Sequence, residues 1–171
     1  MILDYEYVFD GSFSDASQVT GMSVAGFTAG GLASTNVIDL VNARDMGTAP
    51  EPYPIKVMVL VTTGFTTTGT ASSTMTVRLQ GAPTNTAGAS WVTYAESGPY
   101  ASASLTAGVK IGFDLPPVNP DGGALPRYLR LSYELGGPGS TFSAASVIAA
   151  LVLGSDMAPG RAYPSGTTVV N

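Results

Sequence analysis

The chain has 171 residues, 44% of them hydrophobic, which suits one domain able to bury roughly 70% of its unfolded surface. Only 11% of residues are charged, against a usual share of ~25%. The 7 Lys and Arg are scattered singly in a chain of net charge −5, which disfavours nucleic acid, because neutralising phosphates needs clustered cations. The absence of His and Cys excludes disulfides, thiolate metal sites and catalytic triads built on histidine.

The N-terminal MILDYEYVFD alternates Leu3, Tyr5, Tyr7 and Phe9 with Asp4, Glu6 and Val8, predicting a strand or extended arm over residues 1–10. It has no basic start and so does not read as a signal peptide. The longest apolar run, Val147 to Leu153, is far below the ~20 residues of a membrane span. A soluble, unprocessed protein made in a cytoplasm is expected. Gly21 to Ser34 is rich in Gly and Ala and reads as irregular. Ala33 to Gly47, ASTNVIDLVNARDMG, has no helical stripe and contains a short strand at Val37–Val41.

Ile55 to Val61, IKVMVLV, is apolar on both parities after Lys56, as in a strand that is central or covered on both faces. Thr62–Ser73 and Gly81–Ser90 read as loops of small polar residues, and between them Thr74–Gln80, TMTVRLQ, turns Met75, Val77 and Leu79 inward. A short run follows at Trp91–Ala95. Val109, Ile111, Phe113 and Leu115 alternate with Lys110, Gly112 and Asp114. In PRYLRLSYEL, Leu129, Leu131, Tyr133 and Leu135 share one face while Tyr128, Arg130, Ser132 and Glu134 share the other. Val147–Leu153 is the last strand. The 21 Gly and 12 Pro fall between these runs. The pattern predicts an all-β fold, an antiparallel two-sheet sandwich of jelly-roll type with an extended N-terminal arm and C-terminal tail. Residues 1–157 form the single domain, and 158–171, with Arg161 and Tyr163, form the tail.

No nucleophile elbow or phosphate-binding loop occurs. A carboxylate pair, from Asp114, Glu134 and Glu96, is the remaining catalytic arrangement, and it requires a set separation and one raised pKa. Nothing in the sequence supplies these, so no catalytic residue is expected. Asp121 and Asp156 are isolated, whereas a calcium loop gathers several carboxylates, so neither metal nor cofactor is expected. Trp91 with Tyr94, or Tyr128 with Tyr133, could stack on sugar rings. Yet Tyr133 shares its parity with three leucines, and a single Trp in a sandwich favours packing. Tyr128 and Arg130, on the polar face, are residue types enriched in protein interfaces.

MILDYEYVFD, ASTNVIDLVNARDMG, LPRYLRLSYEL and GGPGSTFSAASVIAALVLGSD, in this order, resemble the capsid cement, or head decoration, proteins of tailed bacteriophages, in particular the Bordetella podovirus type. STNVIDL with ARD, and RYLRLSY, are the most specific parts. The resemblance implies a jelly-roll subunit without catalytic residues. Such a subunit oligomerises as a dimer or trimer and sits on the outside of the virion head, where it bridges major capsid proteins non-covalently. The loops between Thr62 and Ser104 are longer and richer in Gly and Thr than in that pattern, and the tail from Ala158 extends past its usual end. The candidate contact residues are then Leu3, Tyr5, Tyr7 and Phe9 in the arm, Tyr128, Arg130 and Glu134 on the strand, and Arg161 and Tyr163 in the tail. The competing reading is a carbohydrate-binding module or phage adhesin acting through Trp91 and surface tyrosines.

Overall fold

The computed structural model describes residues 7–15, 18–26, 30–41, 55–69, 73–116, 126–137 and 141–153. Among them run twelve strands: β1 (Val8–Asp10), β2 (Ser12–Asp15), β3 (Gln18–Thr20), β4 (Met22–Ser23), β5 (Gly30–Ala33), β6 (Ile38–Asp39), β7 (Ile55–Thr68), β8 (Thr74–Ala82), β9 (Val92–Ala101), β10 (Lys110–Asp114), β11 (Tyr128–Gly136) and β12 (Thr141–Leu153). The first sheet has the order β1-β12-β7-β10, with β4 also on β12. The second has the order β5-β11-β8-β9, with β6 also on β11, and β2 and β3 form a separate hairpin. All these pairings are antiparallel.

Taking β5 and β6 as one interrupted strand and setting β2, β3 and β4 aside, the sheets read 1-8-3-6 and 2-7-4-5. That order is two Greek keys rolled together, the jelly roll. The fold follows from residue alternation. Met75, Val77 and Leu79 of β8 and Leu129, Leu131, Tyr133 and Leu135 of β11 are buried against Val57, Val59 and Val61 of β7 and Ile111 of β10 in one core between the sheets. Burying each such aliphatic side chain contributes about 1.5–3 kcal/mol.

The first sheet is apolar on its other face too. Val8, Met58, Ala150 and Val152 form a second buried cluster there, on rows set by the register Val8 to Ala150 to Met58. This is why IKVMVLV has no polar parity: β7 lies between β12 and β10 with both faces covered.

Two expectations about irregular segments are corrected, and one short run proves to be part of a longer strand. Thr62–Ser73 is not all loop, since β7 continues to Thr68 and pairs with the start of β12 through a run of β-bulges. Thr is β-branched and strand-compatible, and Phe65 within it turns inward to meet Phe142 edge-on, ring centroids 5.9 Å apart. The short run expected at Trp91–Ala95 is a strand, β9, which begins at Val92 and runs on to Ala101, with bulges against β8. Gly21–Ser34 is not irregular throughout. It holds β4 and β5, which are specified by backbone ladders to β12 and β11 and leave no side-chain alternation to read. The tail, 158–171, lies outside the described residues.

Candidate functional site

The two most specific sequence blocks meet in space. Ser34, Thr35 and Asn36 of STNVIDL run between the end of β5 and the start of β6 and tie the two sheets together. Ser34 makes two hydrogen bonds to the Leu131 backbone of β11: its N–H donates to Leu131 O at 2.9 Å, and its side-chain Oγ accepts from Leu131 N–H at 3.0 Å. Thr35 N–H donates to Asp10 Oδ1 at 2.7 Å, and Asn36 N–H donates to Phe9 O at 2.9 Å. Tyr133 Oη donates to the other Asp10 oxygen at 2.5 Å. Asp10 is fully buried. Burial raises its pKa, against the opposing pull of the Thr35 and Tyr133 hydrogen bonds. The Tyr133 hydroxyl is pushed well above its ordinary range by burial and by the Asp10 charge. Asp10 therefore belongs to the framework that sets the position of β11.

On the far side of β11 lies a polar face. Its residues come from the outward parity of β8 and β11 together with Trp91 and Glu96 beside and on β9. Arg78 sits between two acids, with Nε 3.3 Å from Glu96 Oε2 and Nη1 3.2 Å from Glu134 Oε1. Opposite Glu134 is Gly31 of the edge strand, where a Cβ would come within 3.1 Å of the carboxylate. Further along, Arg130 Nε donates to Gln80 Oε1 at 3.0 Å, and its guanidinium lies over the Trp91 ring, 4.2 Å from the centroid. Partial burial lowers the Arg130 pKa. At the start of β11, Arg127 grips Asp39 with two hydrogen bonds of 2.7 and 2.8 Å and lies 4.9 Å from the Tyr128 ring centroid. The Arg127 hydrogen bonds hold the Asp39 carboxyl below its ordinary range. Beside Asp39 is Val41, 62% exposed. Its φ of 68° is rare for a β-branched residue, and its N–H donates to Asp39 Oδ1 at 2.7 Å.

The sequence-predicted contact residues divide. Tyr128, Arg130 and Glu134 come together on this face. Tyr7 is exposed, at 43%, but adjoins β1 in the other sheet. Phe9 is corrected: its side chain is fully buried in the core between the sheets and offers nothing to a partner. The alternation does not hold here: Tyr7, of the same parity as Phe9, is exposed, while Val8 and Asp10 of the other parity are buried. Leu3, Tyr5, Arg161 and Tyr163 lie outside the described residues.

Of the carboxylates weighed for catalysis, Asp114 pairs with Lys56 across the first sheet, while Glu96 and Glu134 share Arg78 on the second. Among the described residues no three of His, Cys, Asp and Glu gather closely enough to hold a metal ion; Asp121 and Asp156 lie outside them. Trp91 is half-buried, with one ring face occupied by a guanidinium. The sequence reading missed the platform of Gln80 and Trp91 beneath Arg130, the bridging role of Arg78, and the Asp39–Arg127 clamp. The outward parity of TMTVRLQ, which carries Arg78 and Gln80, was the available signal. Pairing it with RYLRLSYEL would have put Gln80 beside Arg130, as the register does.

A search of the curated proteins finds no match. A family model described as Bbp16 matches residues 13–152, from the β2–β3 hairpin to the end of β12. The match covers well over half of the chain, including the charged sheet face and both sheets of the sandwich except β1, and so the chain belongs to the Bbp16 family, a family of Bordetella phage proteins.

Proposed function

We propose that this protein is a structural component of the phage virion, a cement or decoration protein that binds the outside of the head and stabilises the lattice of major capsid proteins non-covalently. The family match over residues 13–152 carries this reading. The site chemistry supports it. The polar groups of the second sheet are committed to ion pairs and stacking across strands, as suits a rigid surface for protein contact. A cement subunit acts through multivalency: modest contacts to several capsomers, linked in a homo-oligomer, gain strength from effective concentration. In this reading the protein is not an enzyme and needs no cofactor. Its partners are the major capsid protein and further copies of itself, in a dimer or trimer, with no role for nucleic acid or membrane. It is made in the host cytoplasm and resides on the outer capsid surface.

The test is to add purified protein to heads assembled without it and follow co-sedimentation and the heat resistance of the particles. Saturable binding with a higher disruption temperature is expected; no binding at micromolar concentration would sink the proposal. The carbohydrate-binding or adhesin reading draws on Trp91, which is half-buried beside the outward face. It is the weaker reading, because the Arg130 guanidinium covers one side of the indole on which a sugar ring would stack.

A further inference from the structure

We infer that Arg130, held over Trp91 and tied to Gln80, is the anchor of the capsid contact, and that it receives the carboxylate of an Asp or Glu side chain of the shell protein. The inference rests on the decoration role and adds to it the residue and the chemistry of the contact.

Five N–H donors leave a guanidinium in a fixed fork. In Arg130 the Nε donor is used by Gln80 at 3.0 Å, and the guanidinium carbon lies over the indole, 4.2 Å from its centroid. Among the described residues no carboxylate lies within 4.0 Å of it, whereas Arg78, Arg127 and Lys56 each have an acidic partner. Arg130 is therefore a half-buried cation, held from two sides and, among the described residues, without an acidic partner. Partial burial already disfavours its charged form, and an incoming carboxylate would offset that penalty with charge-assisted, bidentate hydrogen bonds. Because the side chain is already ordered, little conformational entropy is left to lose on binding.

Charge complementarity selects the occupant. The face also carries Asp39, Glu96 and Glu134, each paired with an arginine. A polyanion laid across it would meet these acids, while a single carboxylate docked at Arg130 would not need to. The covered indole face argues against a sugar as the ligand. Tyr128, half-buried and of the same strand parity as Arg130, adds apolar surface to the face that carries the ionic contact.

The experiment measures binding of the full-length wild type, Arg130→Lys, Arg130→Gln and Lys110→Ala to heads assembled without the protein, alongside each variant's melting temperature. Lysine keeps the charge but loses the fork and the flat stacking surface. Both Arg130 variants are expected to weaken head binding by about tenfold or more, as at a binding hot spot. Their melting temperatures should stay close to wild type. Lys110→Ala, an exposed cation on the other sheet, should bind normally.

If the wild type binds and the Arg130 variants bind equally well, the inference is overturned and the decoration role stands. If the wild type does not bind heads, the decoration role itself fails, and the inference with it. Two further results would overturn the assignment. One is Arg130-dependent self-association of the free protein with head binding unchanged. The other is Arg130-dependent retention on sialylated or uronic-acid glycans with head binding unchanged.

Discussion

Tyr133 Oη donates to Asp10 Oδ2 at 2.5 Å across the interior of the sandwich, with both side chains fully buried. The bond links the N-terminal strand of the first sheet to a central strand of the second. Tyr133→Phe keeps the ring and removes the donor, leaving a buried carboxylate with one partner fewer. The expected cost is about 1–3 kcal/mol, read by denaturant unfolding. The loss should be larger at pH 8 than at pH 4, because the hydroxyl favours the ionised form of Asp10. Equal stability of variant and wild type at both pH values would show that the bond contributes nothing.

Asp10 itself sets a second expectation. Burial raises its folded-state pKa above 3.8, so the native protein holds that proton more tightly than the unfolded chain. The contribution of this group to stability is therefore complete below about pH 3.8 and declines as pH rises through the folded value. Asp10→Asn cannot ionise, so unfolding free energies measured from pH 3.5 upward should fall less with pH than in the wild type. An unchanged slope would exclude Asp10 as its source.

These two residues show what was legible in the sequence. The core positions of β8, β10 and β11 are marked by alternation, since a half-buried strand must segregate its side chains with a period of two. Tyr133 could be placed inside by the three leucines that share its parity. Its partner could not be placed, because Asp10 follows a run of alternating acids and nothing local distinguishes a buried carboxylate from a solvated one. The contact face was half legible for the same reason. Tyr128, Arg130 and Glu134 are marked as outward, but their neighbours across the sheet depend on the register of β8 and β9. That register is set by bulges and by pairing over long sequence separations. β5 was illegible because its first two residues, Gly30 and Gly31, carry no side chain to alternate.

Gly81 shows a backbone constraint of a different kind. It lies opposite Leu129 in the β8–β11 ladder. A Cβ there would overlap the Pro126 ring and come within 2.7 Å of Tyr94 Cε2. Neither ring can move aside freely, so Gly81→Ala should destabilise by about 1–3 kcal/mol through overpacking. Gly88, with nothing within 4 Å of its added Cβ, is the control, and Gly88→Ala should leave the unfolding midpoint nearly unchanged. Equal effects of the two substitutions would contradict the packing around Gly81.

The second apolar cluster makes the outer face of the first sheet part of the stability of the fold. Met58 is 1% exposed, on the side of β7 away from Val57 and Val59. Met58→Ala should therefore cost as much as a substitution in the main core, about 2–5 kcal/mol. Thr63→Ala, on the same strand but exposed, should change stability by only a few tenths of a kcal/mol. A Met58 variant as stable as the wild type would mean that this face is open to solvent.

Trp91 is the chain's single tryptophan, so intrinsic fluorescence reports directly on the Arg130 platform. The guanidinium shields one side of the indole from water. Arg130→Ala should uncover that side, shift emission to longer wavelength and steepen quenching by acrylamide, with the far-ultraviolet circular dichroism unchanged. Arg127→Ala is the matched control, because that guanidinium lies over Tyr128 and should leave the emission of Trp91 as it was. If both variants shift the emission equally, the indole is responding to a general loosening of β11. If neither does, the stacked arrangement is not the one populated in solution, and Arg130 loses the preorganisation on which its role as an anchor depends.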